Sequence, residues 1–386
     1  MNILIINFEY PPLGGGGGVA TADIAGELAK RHTVHVLTTA FPTLPRFEVV
    51  DGVHIHRVPV LGRFALPTAS FLSLITFAPV AFFAGIFMMR KVSFDIIYTQ
   101  FVIPSGLPAA LLSKLFSIPF VLTFIGGDIY DPSKGISPHR HALFRMIIRW
   151  IATRAAVRTA ISHDTKTRTI ELHGVTKDIQ VVPIGLKKFI AKEATRSELG
   201  FSDKDIICVS IGRLVPRKGY DVLLAAWKDI PEAKLIIIGN GPLRADLSHT
   251  IKKYGLSNRV QLLGQVEEEK KAQLLRIADM YVSAAQHEGF GIVFLEAMNA
   301  GLAIVAANDG GQRDFLENGE NAILIAPHDV RALVRAVQTL IKDIHLRHTM
   351  GTKNKKAVEN YYIDRTAARI EDILIQARKK SYERNN

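Results

Sequence analysis

The chain has 386 residues, of which 48% are hydrophobic and 22% are charged, a composition typical of a globular protein large enough for two domains. Its single cysteine, Cys208, excludes a disulfide framework and favours a reducing compartment. The formal net charge of +12 suits nucleic acid, anionic lipid or anionic small molecules, so charge alone does not choose among these partners.

The chain opens with an apolar run over Ile3–Asn7. No basic region precedes this run and no small-residue cleavage site follows it, so the pattern predicts a buried strand rather than a signal peptide. We therefore expect a cytoplasmic protein.

Five consecutive glycines, Gly14 to Gly18, lie between this strand and a helix predicted over Ala20–Arg31. Glycines let backbone N–H groups approach a ligand, and a helix N-terminus favours an anion. Gly16 and Gly17 are therefore candidate ligand contacts, and a turn without a ligand is the alternative. The next predicted strand, Val34–Thr38, is not followed by the acidic residue that an NAD site requires.

Residues Phe71 to Met89 form an almost wholly apolar stretch that ends at Arg90 and Lys91. Its length would allow it to span a bilayer. However, Pro79 lies in its middle, and a span here would divide an α/β domain. The pattern favours one or two buried or membrane-facing helices over a true span.

Short apolar runs alternate with segments of helical period along the chain, which predicts parallel sheets with helices on both faces. The remaining runs of the first series are Ile55–Val58, Ile96–Tyr98, Phe120–Thr123, Val157–Ile161 and Ile179–Val182. A second series comprises Ile206–Ile211, Lys234–Ile238, Val260–Leu263, Met280–Ser283, Ala303–Ala306 and Ala322–Ile325. Two series predict two doubly wound α/β domains, residues 1–184 and 185–365, followed by an amphipathic helix over 366–386.

Asp128 follows a predicted strand of the first domain. Its carboxylate has two possible roles: it binds ligand hydroxyls or acts as a base, or it caps a turn. A basic stripe follows, formed by Arg145, Arg149, Arg154 and Arg158 with apolar residues between them. We favour a solvated helix face for this stripe, with contact to an anionic membrane surface as the alternative.

Arg213 and Lys218 lie in the segment Gly212–Gly219, directly after the first strand of the second domain. Ligands of open α/β sheets bind beyond the carboxyl ends of the strands. A guanidinium and an ammonium at that place suit a diphosphate. Two solvated surface cations are the alternative.

Glu288 and Glu296 are eight positions apart, with glycines and apolar residues between them. We expect Glu288 in a loop at the mouth of a helix and Glu296 about two turns inside that helix, where N–H groups remain open to an anion. Two carboxylates there suit a hydroxyl-rich ligand, and two ordinary surface acids are the alternative. No His/Cys cluster has zinc spacing, and the basic residues lack the interleaved aromatics of a nucleic-acid-binding sheet.

Together these segments resemble family 4 of the retaining glycosyltransferases, which have the GT-B fold. The strongest match is the E-x7-E signature of that family, from Glu288 to Glu296, and the next is G-R-L-x-x-x-K-G over Gly212–Gly219. Further matches are the turn Gly239–Pro242 and the glycine pair at 310–311. The resemblance covers most of the chain and is densest from residue 206 to about residue 326.

The resemblance implies two Rossmann-like domains that face each other across a cleft, with the acceptor mainly in the first and the nucleotide sugar in the second. It also implies that the last helix, over 366–386, crosses back to the first domain. It implies that Arg213 and Lys218 hold the donor diphosphate, that Glu288 contacts the transferred sugar and that Glu296 contacts the ribose. Arg213, Lys218 and Glu288 are thereby the expected catalytic residues. The residues implied to bind the donor are Gly16, Gly17, Gly212, Arg213, Lys218, Val266, Glu288, Phe290, Gly291, Ile292 and Glu296.

The resemblance further implies hexosyl transfer with retention of the anomeric configuration and without a metal or other cofactor. The expected partners are a nucleotide-sugar donor and a glycan or lipid-linked acceptor, with Asp128 near the acceptor and peripheral contact with an anionic membrane. This chain departs from the family at Ile125, where many members have histidine, and at the domain junction over residues 184–187. A noncatalytic nucleotide-sugar-binding subunit is the alternative from another class.

Overall fold

A computed structural model describes residues 1–66, 69–189 and 191–385, and side chains up to residue 383. The chain divides into two units, residues 1–187 with 363–386, and residues 188–362. The sequence suggested boundaries after residues 184 and 365. The junction residues lie with the last helix because the N–H group of Ile363 donates to the carbonyl of Leu186 at 3.0 Å, and the Thr366 hydroxyl donates to the carbonyl of Pro183 at 3.1 Å.

Unit 1 is an α/β domain built on an eight-stranded sheet of order β3-β4-β2-β1-β5-β6-β7-β8. Its β3 pairs antiparallel with β4, and the other described pairs are parallel. Its elements are β1 (Asn2–Ile6), α1 (Gly16–Ala29), β2 (Thr33–Thr39), β3 (Phe47–Val50), β4 (Val53–Val58), α2 (Phe71–Lys91), β5 (Ile96–Gln100), α3 (Gly106–Phe116), β6 (Phe120–Phe124), α4 (Ala142–Arg154), β7 (Val157–Ala160), α5 (His163–His173), β8 (Gln180–Val181) and the returning helix α12 (Ile363–Asn385).

Helices cover both faces of this sheet, as a buried parallel sheet requires. Alternate residues of β1 belong to different cores: Ile3 and Ile5 pack with α1 and α12, whereas Leu4 and Ile6 pack with α2, α3 and α4. All four residues are fully buried, which explains why β1 is apolar without alternation.

Unit 2 holds a six-stranded parallel sheet of order β11-β10-β9-β12-β13-β14. Its elements are β9 (Ile206–Ile211), α6 (Tyr220–Trp227), β10 (Ala233–Ile238), α7 (Arg244–Lys253), β11 (Val260–Gly264), α8 (Glu268–Ile277), β12 (Met280–Val282), α9 (Ile292–Ala300), β13 (Ala303–Ala307), β14 (Ala322–Ile325), α10 (Val330–Lys342) and α11 (Ile344–Ala357). The strand order reverses between β9 and β12, so the loops that follow these two strands meet at a topological switch point.

The predicted strands are confirmed within one or two residues, but the structure differs from the sequence expectations in two respects. The sequence did not predict β3, because this short strand is half exposed and lacks a regular apolar pattern. Helix α1 begins at Gly16, so the glycine run forms its first turn rather than only a preceding loop. Residues Phe71–Lys91 form one continuous helix that includes Pro79, which agrees with the expectation of one or two helices.

Candidate active site at the carboxyl ends of the strands

Glycines allow three loops of unit 2 to meet backbone to backbone. A Cβ atom on Gly239 would lie 2.0 Å from the carbonyl oxygen of Gly212, and a Cβ atom on Gly219 would lie 2.0 Å from that of Ala284. Gly219 also has a φ of +63°, a left-handed conformation that glycine adopts without strain. The loops after β9, β10 and β12 are therefore locked together, which fixes the side chains that they carry.

This packing brings Lys218 and Glu288 together. The Lys218 ammonium donates to the Glu288 carboxylate, and a guanidinium nitrogen of Arg217 lies 3.7 Å from the other carboxylate oxygen. Glu288 is 5% exposed, and its carbonyl accepts from the N–H group of Gly311 at 2.7 Å. Hydrogen bonds to its backbone carbonyl and to its carboxylate thus fix the position of Glu288.

Opposing effects determine the charge state of this cluster. Burial by itself would raise the pKa of Glu288, but the positive charges of Lys218 and Arg217 and the Lys218 hydrogen bond lower it below its ordinary value. Glu288 is therefore an ionised, buried carboxylate. Burial lowers the pKa of Lys218, the nearby Glu288 charge opposes that effect, and Arg217 and Arg213 add to it.

Glu296 has a different environment. It is the fifth residue of α9, so it lies just over one turn inside the helix rather than the expected two. One carboxylate oxygen accepts from the Lys271 ammonium at 2.8 Å, while the other, Oε2, is buried and has no hydrogen-bond partner among the residues that the structure describes. Burial raises the pKa of Glu296, and Lys271 offsets this only in part.

An unpartnered buried carboxylate oxygen is costly unless a ligand satisfies it. Lys271 also lies 2.7 Å from Glu268, so it bridges two acids of which only Glu296 is largely buried. A ligand hydroxyl that donates to Oε2 would complete the hydrogen bonding of Glu296.

Arg213 is half-buried and forms no ion pair within the described part of the chain, so its guanidinium is available to an anion.

Gly291 precedes α9 with a φ of +87°, where a side chain would meet the ring of Phe294. The ring of Phe290 is buried against Phe315, so any contact of this residue with a ligand uses its backbone. Val266 and Ile292 are half-buried beside their strand and helix ends.

The glycine turn of unit 1 presents free donors. The N–H groups of Gly16 and Gly17 have no acceptor within the described residues, whereas that of Gly15 donates to Glu9 at 3.2 Å. A Cβ atom on Gly17 would lie 2.4 Å from the Phe101 ring and 3.4 Å from Ile125. The turn is therefore a candidate anion contact, and Ile125 lies beside it.

The structure shows the surroundings of Asp128 and corrects the expectation for Arg158. The carboxylate of Asp128 accepts from the N–H groups of Val102 at 2.7 Å and Ile125 at 3.0 Å, and burial raises its pKa to about 6. It therefore closes its own loop, which is one of the two roles that the sequence allowed, and its contact with an acceptor stays a prediction. Arg158 is not part of a solvated stripe, because its buried guanidinium donates to the carbonyls of Ala152, Ala155 and Asp178.

The sequence did not single out Arg217 and Lys271. Arg217 lies inside the predicted basic motif, next to Lys218, and its position was the only signal available. Lys271 lies on α8, among several charged residues, and only the packing of α8 on α9 shows that it contacts Glu296.

Comparisons with known proteins agree with this geometry. A family model described as glycosyl transferases group 1 matches residues 191–357, and one described as glycosyl transferase 4-like domain matches residues 15–185. The chain is 28% identical over 381 residues, 94% of both chains, to N-acetyl-alpha-D-glucosaminyl L-malate synthase of Bacillus anthracis.

A second relative is a GDP-mannose-dependent alpha-(1-6)-phosphatidylinositol monomannoside mannosyltransferase of Mycolicibacterium smegmatis. It is 27% identical over 248 residues, which cover 60% of this chain and 65% of that protein. Among solved structures, sucrose-phosphate synthase from Thermosynechococcus elongatus superposes with a TM-score of 0.84 at 22% identity, over 97% of this chain and 98% of that one. At this identity the structural likeness shows the fold.

Proposed function

The chain belongs to family 4 of the GT-B glycosyltransferases, which are nucleotide-sugar-dependent enzymes, and from this premise we propose that it transfers a hexosyl group with retention to a lipid-linked or cell-envelope glycan acceptor. One of the named relatives supports such an acceptor, because it is a phosphatidylinositol monomannoside mannosyltransferase. We further propose that the protein works without a metal, at the cytoplasmic face of a membrane.

The proposal assigns the donor diphosphate to Arg213 and Lys218. Negative charge grows on this diphosphate as the sugar leaves through an oxocarbenium-like transition state. Fixed cations aimed at that charge lower the barrier without reorganising, and removing one such group typically costs about 2.7–4 kcal/mol. Gly16 and Gly17 remain a predicted further contact for an anionic group.

Glu288 and Glu296 are proposed to bind the two sugars of the donor. Glu288 is ionised and held rigidly, so it accepts hydrogen bonds from hydroxyls of the transferred sugar and stabilises positive charge that develops on its ring. Glu296 offers Oε2 to a ribose hydroxyl. In the proposed retaining reaction the acceptor attacks from the face that the phosphate leaves, and the leaving phosphate takes the acceptor proton, so no further base is needed.

The observation that carries the proposal is the pair of buried carboxylates with different partners: Glu288 between two cations and Glu296 with one free oxygen. A ligand hydroxyl would satisfy the buried oxygen that Glu296 leaves without a partner among the described residues. A hydroxyl-rich, anionic ligand satisfies both features at once.

A donor screen tests this proposal. The purified protein is incubated with UDP-, GDP- and ADP-sugars and a membrane lipid extract, and the release of free nucleotide is measured. We expect turnover with one donor class, a loss on the order of 100-fold or more in Lys218→Ala and Glu288→Ala, and unchanged turnover in the control Lys252→Ala, whose side chain is exposed.

The stereochemistry of transfer is read separately, from the anomeric proton coupling of the product by NMR. Retention requires that the product have the anomeric configuration of the donor. An inverted product would overturn the retaining mechanism, and full activity in both site variants would overturn the assigned roles of Lys218 and Glu288.

A further inference from the structure

The solvent-facing stripe of α2 is apolar along its whole length. Leu72, Ile75, Pro79, Phe83 and Phe87 recur every three or four residues and are exposed, with Phe83 at 69% and Phe87 at 60%. A surface helix of a globular protein places polar or charged residues on this stripe. Contiguous exposed apolar surface of this kind marks an interaction site.

The opposite stripe of α2 belongs to the core of unit 1. Phe77 and Ala81 are fully buried, and Gly85 packs so closely on α3 that a Cβ atom there would lie 2.3 Å from Leu112. By length and composition the 21-residue helix is able to cross a membrane, but 28% of its most apolar window is buried inside the protein. Its inner stripe fixes it as a surface helix, with its apolar outer stripe turned away from the domain.

The two helices beside α2 extend this surface. Helices α2, α3 and α4 pack side by side on one face of the sheet, and Leu115, Leu143 and Met146 are each more than half exposed on α3 and α4. We call the exposed side of these three helices the outer face.

The outer face is also purely basic. Helices α2, α3 and α4 contain no aspartate or glutamate, although the chain as a whole has 36 acidic residues. Their basic residues are Arg90, Lys91, Lys114, Arg145, Arg149 and Arg154. In contrast, α12 on the opposite face of the sheet carries acidic residues among its basic ones.

We propose that the outer face docks on a bilayer that contains anionic lipid, with the α2 stripe among the acyl chains near the headgroups and the flanking cations on the headgroups. A bilayer offers hydrocarbon beneath a negatively charged surface, so it matches both properties of this face. The Lys91 ammonium lies 4.2 Å from the centre of the Phe87 ring, an arrangement in which a cation snorkels at the edge of an apolar surface. The inference rests on the proposed function for its purpose, which is access to a lipid-linked acceptor.

Vesicle flotation tests the contribution of the apolar α2 stripe to docking. The full-length protein is mixed with vesicles of phosphatidylcholine alone or with added phosphatidylglycerol. We expect binding to the anionic vesicles, and at least a tenfold weaker partition for the double variant Phe83→Ser with Phe87→Ser. The matched control replaces Phe47 and Ile344 by serine, since these are 53% and 52% exposed outside the outer face, and it should bind as the wild type does.

A second variant tests the contribution of the basic residues of the outer face to docking. Replacing Arg90, Arg145 and Arg149 by glutamine should weaken binding on the order of 100-fold on anionic vesicles, since each cation near the surface contributes roughly fivefold, and should reduce the dependence on phosphatidylglycerol. The control makes the same change in net charge on exposed residues of unit 2, by replacing Arg331, Arg335 and Lys356 with glutamine. Salt should weaken wild-type binding in parallel.

Insertion of α2 is measured with a fluorescent label. The only cysteine, Cys208, is fully buried, so a Phe83→Cys variant presents one exposed thiol for an environment-sensitive dye. Anionic vesicles should blue-shift the emission of this label but not that of a label on Ile344→Cys.

Absence of vesicle binding by the wild-type protein, or equal binding by the α2 double variant, would overturn the inference. Self-association in sedimentation equilibrium that the double variant abolishes, without vesicle binding, would show instead that a second copy covers the outer face. We expect Lys218→Ala and Glu288→Ala to lose turnover but still float with vesicles. Failure of the docking inference is therefore distinguishable from failure of the proposed function.

Discussion

Two glutamates of one signature differ in what surrounds them, and this difference assigns their tasks. Glu288 lies between Lys218 and Arg217, which keep its pKa low despite burial. Glu296 has a single cation, Lys271, so burial dominates and its pKa is raised. A permanently ionised group suits stabilisation of a developing cation, whereas a carboxylate with a free oxygen suits recognition of a hydroxyl.

We expect Glu296→Gln to weaken nucleotide binding about tenfold, since a hydrogen bond to a charged group contributes roughly 1.5–3 kcal/mol. The free energy of unfolding should change by less than about 1 kcal/mol, because the substitution also removes a buried charge with one unsatisfied oxygen. Isothermal calorimetry with the nucleoside diphosphate and urea unfolding measure the two effects.

Glu268→Gln is the matched control, since Glu268 is the other acid beside Lys271 but its side chain is 70% exposed. It should leave nucleotide affinity unchanged. If both variants weakened binding equally, Glu296 would act only by positioning Lys271, and the proposed ribose contact would be wrong.

The sequence predicted these site residues through their type and spacing, because cations and acids after parallel strands converge on one edge of a sheet. It could not predict which cation pairs with which acid, since Lys271 contacts Glu296 through the packing of two helices. Asp128 shows the same limit: the sequence allowed a ligand contact or a turn cap, and the N–H groups of Val102 and Ile125 show the cap.

At the scale of elements, the loops of unit 2 depend on glycines for two separate reasons. Some glycines have a positive φ, and some leave no room for a Cβ atom; Gly219 has both properties. Gly255 has nearly the same conformation, with a φ of +66°, but nothing lies within 4 Å of its Cβ position. Substitution of Gly255 therefore measures the cost of the left-handed conformation alone, and substitution of Gly219 measures that cost together with the cost of close packing.

We expect Gly255→Ala to cost about 1 kcal/mol, the strain of a left-handed alanine. Gly219→Ala should cost that amount and about 1–3 kcal/mol more, because the methyl group would collide with the carbonyl of Ala284. Chemical unfolding of both variants measures this difference, and nucleotide binding should fall only in Gly219→Ala, which displaces the loop that carries Lys218.

Equal destabilisation by the two substitutions would show that the loop after β9 moves away from Ala284 at little cost. The close backbone contact would then not be what fixes the position of Lys218.

At the scale of the whole molecule, the alternation of apolar runs and helical segments predicted two doubly wound α/β domains. The orders β4-β2-β1-β5-β6-β7 and β11-β10-β9-β12-β13-β14 both follow the 3-2-1-4-5-6 order of Rossmann folds. The exposed edge strand β3 escaped prediction because its residues are half exposed. The family resemblance also predicted that the last helix crosses back to the first domain. Its membership in unit 1 follows from the buried side chains Ile370, Leu374 and Ala377, which pack with α1 and the central strands.

Because α12 completes the core of unit 1 after the chain has passed through unit 2, a cavity in α12 should loosen distant segments of the sequence. Leu374→Ala removes a fully buried side chain and should destabilise unit 1 by about 2–5 kcal/mol, with faster hydrogen exchange in β1 and β5. Leu340→Ala makes the same cavity in unit 2, where Leu340 is also fully buried, and should accelerate exchange in β9 to β14 instead. If Leu374→Ala accelerated exchange throughout both units, the two would unfold as one cooperative structure, and the division would have no thermodynamic counterpart.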